Sequence, residues 1–91
     1  MGLRATPSTG STATAFTVQW ATGAPPDGIV FDVQIKRPGT TAWKPFRTDT
    51  TAGSVVFVPD KGAGSYSFRA QTQRAGGAST GWSIAKTISV S

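Results

Sequence analysis

The sequence predicts an all-β domain, either a two-sheet antiparallel sandwich or a small barrel. Apolar residues recur with period 2 along the chain and nowhere with period 3.6, so side chains alternate between a buried and a wet face. Segments rich in Gly and Pro separate the alternating runs at regular spacing. The chain has 91 residues, which suits one core rather than two.

The elements follow in order. Strands are expected at 3–9, 13–21, 29–37, 43–49, 54–58, 65–74 and 82–90. The segment Thr6-Pro7-Ser8-Thr9-Gly10-Ser11-Thr12-Ala13-Thr14 holds a first edge strand, where Pro is tolerated, and the turn after it. Phe16, Val18 and Trp20 alternate with Thr17 and Gln19, and Ile29, Phe31, Val33 and Ile35 with Val30, Asp32 and Gln34. Between these runs, Gly23-Ala24-Pro25-Pro26-Asp27-Gly28 neither continues a strand nor starts a helix. Pro38-Gly39-Thr40-Thr41 is a tight turn. The run Val55-Val56-Phe57-Val58 is β-branched throughout its valines and fits a strand buried on both sides. Tyr66, Phe68 and Ala70 alternate with Ser67, Arg69 and Gln71, and Ile84, Ile88 and Val90 close the chain. Met1-Gly2 reads as an initiator and cloning remnant ahead of a domain spanning 3–91, with no signal peptide.

Composition narrows the function. Hydrophobic residues make up 37% and charged residues 14% of the chain, a balance that excludes intrinsic disorder. Cys, His, Glu and Asn are absent, which removes thiol chemistry, the imidazole switch, Cys/His zinc sites and N-glycosylation. The only carboxylates are Asp27, Asp32, Asp49 and Asp60, dispersed so that no two suggest a calcium cage or a glycosidase pair. The expectation is a domain that is not an enzyme and carries no cofactor or metal. No apolar run is long enough to span a membrane. The net charge is +5, with the basic residues scattered singly or in pairs. That pattern reads first as solubilising surface charge, and it also permits contact with an anionic polymer.

Taken together, Phe16-Thr17-Val18-Gln19-Trp20, Phe31-Asp32-Val33, and Ser65-Tyr66-Ser67-Phe68-Arg69-Ala70 after Pro59 resemble a fibronectin type III domain over nearly the whole chain. The resemblance implies a seven-stranded antiparallel immunoglobulin-like sandwich. It makes Trp20 the tryptophan buried between the sheets, and Tyr66 a tyrosine corner whose hydroxyl bonds back to the preceding loop. Pro59 and Tyr66 stand farther apart than is usual in the family, which reads as an insertion at Gly62-Ala63-Gly64. Together with Gly81-Trp82-Ser83, the pattern is similar to modules of secreted, actinobacterial-like proteins. Such modules serve as spacers and adhesion units beside polysaccharide-active enzymes or on surface proteins. This implies an extracellular monomer whose partners are neighbouring domains of a parent chain and, beyond them, an anionic or polysaccharide polymer. Sequence-specific nucleic-acid binding is not expected.

The candidate binding surface is Gln34, Lys36, Trp43, Arg69, Gln71 and Trp82. Gly81-Trp82-Ser83 resembles half of the Trp-Ser-x-Trp-Ser motif of cytokine-receptor modules, whose Trp stacks outside the sheet against an Arg. Arg69 has the outward parity for that contact. Two orientations of Trp82 stay open: outward on Arg69, which needs a bulge before Ile84, or inward in parity with Ile84. Lys86 shares parity with Ile84 and Ile88, so a bulge re-aims it or it snorkels at the rim. If Lys36, Arg37, Lys44, Arg47 and Arg69 share one outer face, they form a positive stripe. The rival functions are a dedicated carbohydrate- or cell-wall-binding module, an engineered scaffold presenting loops 21–28 and 75–81, and an oligonucleotide-binding barrel. The loops lack the aromatic residues of a selected paratope, and Phe31, Phe57, Tyr66 and Phe68 read as inward, which counts against the barrel.

Overall fold

Eight strands form two sheets in the computed structural model, which describes residues 3–21, 23, 25–74, 77, 79 and 81–91. They are β1 (Arg4–Thr6), β2 (Thr9–Gly10), β3 (Phe16–Gln19), β4 (Ile29–Lys36), β5 (Lys44–Thr50), β6 (Ser54–Phe57), β7 (Gly64–Arg74) and β8 (Lys86–Val90). One sheet has the order β1-β3-β6 and the other β2-β8-β7-β4-β5. No helix occurs among the described residues, and none there is long and apolar enough to cross a membrane. The remnant assigned to Met1-Gly2 lies outside the described residues, as do Thr22, Ala24, Ala75, Gly76, Ala78 and Thr80 of the loops at 21–28 and 75–81.

The expected seven-stranded antiparallel arrangement is corrected in one place. The segment 3–9 divides into β1, antiparallel to β3, and β2, parallel to β8 in the other sheet. Pro7 stands at the division. With no N–H to donate, it cannot extend the first ladder. The chain crosses to the second sheet, where Ser8 O accepts from Ser89 N–H at 3.0 Å and Gly10 O from Ser91 N–H at 2.9 Å. The second sheet is therefore mixed.

The inward residues of both sheets meet in one core. Phe16, Val18, Trp20 and Phe57 come from the smaller sheet and Phe31, Val33, Ile35, Tyr66, Phe68, Ala70, Ile88 and Val90 from the larger, with Leu3 beside them. Each large apolar side chain so buried contributes about 1.5–3 kcal/mol. The Phe57 ring meets Phe46, Tyr66 and Phe68 edge-on at centroid distances of 5.7, 5.4 and 5.3 Å, the arrangement that aromatic quadrupoles favour. Trp20 is buried, and its Nε1–H donates to the Ala52 carbonyl at 2.9 Å.

The valine run of β6 is buried on one side only. Phe57 faces the core and Val55 packs against it, while Val56 and Val58 are more than half exposed. β6 lies at the edge of a three-stranded sheet whose outer surface no described residue packs over at Val56, so the β-branched residue there serves strand propensity rather than burial.

Tyr66 is fully buried, and its hydroxyl is not left unpaired. It accepts from Lys61 N–H at 2.8 Å and donates to the Gly62 carbonyl at 2.7 Å. The loop at 60–64 is thus tied to the tyrosine by two of its backbone groups. Gly64, at φ 141°, lies against Pro38, where an added Cβ would come within 2.6 Å of the proline Cβ. The turn after β4 therefore packs directly on the start of β7.

Candidate functional site

The outer face of the larger sheet is set by the pairing of β4 with β7. Their register places Gln34 opposite Arg69, Asp32 opposite Gln71 and Lys36 opposite Ser67. Cross-strand partners point to the same side, so these residues line up on the solvent side of Phe31, Val33 and Ile35. Trp43 arrives from the segment just before β5, and Trp82 from the segment before β8.

Arg69 is the centre of the face. Its guanidinium carbon stands 4.4 Å from the Trp43 ring centroid and 4.7 Å from that of Trp82. Its Nε and one terminal nitrogen donate to Gln34 Oε1 at 2.8 and 2.6 Å. Lys36 Nζ lies 5.1 Å from the Trp43 centroid. Each contact is within the range where the ring quadrupole attracts a cation. Beside this cluster, Gln71 Nε2 donates to Asp32 Oδ2 at 3.3 Å, and Asp32 Oδ1 accepts from Asp49 N–H at 3.0 Å. The structure thus brings Gln34, Lys36, Trp43, Arg69 and Trp82 into one interlocked cluster, with Gln71 on the same face but bonded to Asp32.

The outward orientation of Trp82 has a local cause. The β7–β8 register runs from Gly64 opposite Val90 to Phe68 opposite Lys86, and its continuation would set Ile84 opposite Ala70. Ser83 takes that place instead. Its N–H donates to Ala70 O at 2.7 Å, and its hydroxyl accepts from Ala70 N–H at 3.1 Å. A one-residue slip reverses the facing of every side chain beyond it. Trp82 and Ile84 are therefore both outward, and Ile84 is 91% exposed. The inward parity of Ile84 is overturned for that reason. Lys86, first residue of β8 and opposite the buried Phe68, keeps the core-facing parity and is exposed at the strand end.

The five basic residues do not form one stripe. Lys36 and Arg69 stay with Trp43. Arg37, one residue on from Lys36, turns the other way, and its Nε and a terminal nitrogen donate to the two oxygens of Asp60 at 2.8 and 2.9 Å. That bond holds the Asp60 carboxyl below its ordinary range and raises Arg37 further. Arg47 folds back over the Phe46 ring at 4.5 Å. Lys44 sits opposite Ile35 at the start of β5, beside a surface cleft shared with Arg37 and Lys61. Strand parity separates neighbours, and the irregular β4–β5 register separates the rest.

Two further features were not legible as site residues in the sequence. Asp49 has a φ of 53°, a left-handed conformation that Asp tolerates better than most residues. It borders a groove of about 490 Å³ lined by Pro25, Pro26, Ile29, Val30 and Arg74. Asp49 N–H also donates to Asp32 Oδ1, and among the described residues no three acidic, His or Cys side chains gather as metal ligands. No family model matches the chain, and neither does any curated protein.

Proposed function

We propose that this chain is a fibronectin type III module, serving as a non-catalytic spacer or weak binding unit of a larger secreted bacterial protein. Its expected context is accessory to a polysaccharide-active enzyme or a surface protein. The antiparallel orders β1-β3-β6 and, inside the edge strand β2 of the five-stranded sheet, β8-β7-β4-β5 support the family reading, as do the buried Trp20 and the Tyr66 corner.

One observation carries the spacer reading. The outward groups that a carbohydrate platform would offer are engaged with one another. Arg69 occupies both indoles and the side-chain oxygen of Gln34, and Asp32 occupies Gln71. A sugar would have to displace these contacts before stacking, which lowers its net affinity. The test is retention of the domain on insoluble cellulose and chitin at low and high salt. No retention on either is expected. Salt-insensitive retention on a neutral glycan would overturn the spacer reading in favour of a dedicated carbohydrate-binding module, with Trp43 and Trp82 as the first residues to replace.

A further inference from the structure

The cleft between the turn after β4 and the loop before β7 has a different character from the outer face. It encloses about 340 Å³ and is lined by Arg37, Pro38, Gly39, Thr40, Lys44 and Lys61. Three cations border it, and the nearby carboxylate, Asp60, has both oxygens taken by Arg37. That pair cancels in charge. Lys44 and Lys61 remain, both exposed, and among the described residues neither faces a carboxylate at ion-pair distance.

The walls are fixed from three directions. Tyr66 holds Lys61 and Gly62 by their backbone groups. Pro38 is seated on Gly64. The two-point Arg37–Asp60 bridge ties the turn to the loop. Thr40 N–H donates to Arg37 O at 3.3 Å and its Oγ1 accepts from Ala42 N–H at 3.1 Å, which closes the turn. A site whose backbone is already ordered loses less entropy when it is filled.

We propose that this cleft binds the oxyanion groups of an anionic polymer, phosphate or sulfate, with Lys44 and Lys61 as the two charge partners. Thr40 borders the same space and supplies the polar group of the wall. The site reads charge and not sugar identity, since ammonium groups act as mobile point charges without a fixed donor fork. This inference stands apart from the spacer reading, because cellulose and chitin carry no anions to engage it.

The test is an amide NMR titration of the whole chain with long-chain polyphosphate, with dextran sulfate and with uncharged dextran. Amides at 39–44 and 60–62 are expected to shift with either polyanion and not with uncharged dextran. Two neutralised oxyanions imply a loss of about tenfold in affinity between about 50 and 200 mM salt. Lys44→Glu and Lys61→Glu should each weaken binding severalfold, while the charge-matched Lys86→Glu should leave it within about twofold. A response to polyphosphate alone assigns the site to phosphate, and one to dextran sulfate alone assigns it to sulfate. The proposal is overturned if neither polyanion shifts these amides, if Lys86→Glu weakens binding as much as Lys44→Glu, or if the shifts centre on Gln34 and Arg69 instead.

Discussion

The Tyr66 hydroxyl donates to the Gly62 carbonyl at 2.7 Å, from a ring with no exposed surface. The same oxygen accepts from Lys61 N–H, so one phenol satisfies two backbone groups of the loop it closes. Tyr66→Phe keeps the ring in the core and strands both backbone partners. The expected cost is about 1–3 kcal/mol, the range for buried groups left without a partner. Urea unfolding of the variant measures it. A change within error of zero would mean that water replaces the hydroxyl without penalty.

Arg69 links two tryptophans that stand 39 residues apart along the chain. Arg69→Ala should cost about 1–2 kcal/mol, from two cation–π contacts of about 0.5–1 kcal/mol each and the bonds to Gln34. The same variant should expose both indoles. Tryptophan emission is expected to move to longer wavelength and to become more readily quenched by acrylamide, with Trp20 unaffected in the core. Arg69→Lys should recover only part of the loss, because an ammonium lacks the flat face that lies between the rings.

Ile84 tests the slip at Ser83. An inward isoleucine in a core of this kind costs about 2–5 kcal/mol when cut to alanine. At 91% exposure, Ile84→Ala should change stability by less than about 0.5 kcal/mol. Ile88→Ala, four residues on and fully buried, should fall in the higher range. Thermal or urea unfolding of the two variants side by side gives the contrast directly. Equal losses would place Ile84 back in the core.

The Arg37–Asp60 bridge sets a modest acid dependence. Asp60 is held below its ordinary value chiefly by the hydrogen bond from Arg37. A carboxyl lowered on folding contributes stability above its unfolded pKa, near 4, and loses it as pH falls through the lowered folded value. Half of the Asp60 side chain is exposed, so solvent screening limits the contribution to about 0.2–1 kcal/mol. Asp60→Asn should be less stable than the parent by that amount at pH 7, with the gap narrowing below about pH 4. Denaturant midpoints at the two acidities check it. A gap that widens in acid would reverse the sign of the linkage.

What the sequence determined by itself is the set of inward residues wherever a ladder runs unbroken. Phe31, Val33 and Ile35 on β4 and Tyr66, Phe68 and Ala70 on β7 are buried in alternation, because strand geometry sends successive side chains to opposite faces. The pairing of Gln34 with Arg69 across those strands follows from the same alternation once the two are neighbours. Tertiary structure decided everything that depends on a break in a ladder. Pro7 ends β1, and only the presence of a second sheet beside it turns the next residues into β2. Ser83 displaces Ile84 opposite Ala70 because its hydroxyl can replace a ladder bond, and that single slip turns Trp82 onto Arg69 and Ile84 into water. The basic residues show the same division. Parity alone sets Lys36 apart from Arg37, but the convergence of Lys44 and Lys61 joins positions 17 residues apart along the chain. Local alternation carries no information about such a meeting, which arises only when the Tyr66 corner and the turn at Pro38 bring two loops to one end of the sandwich.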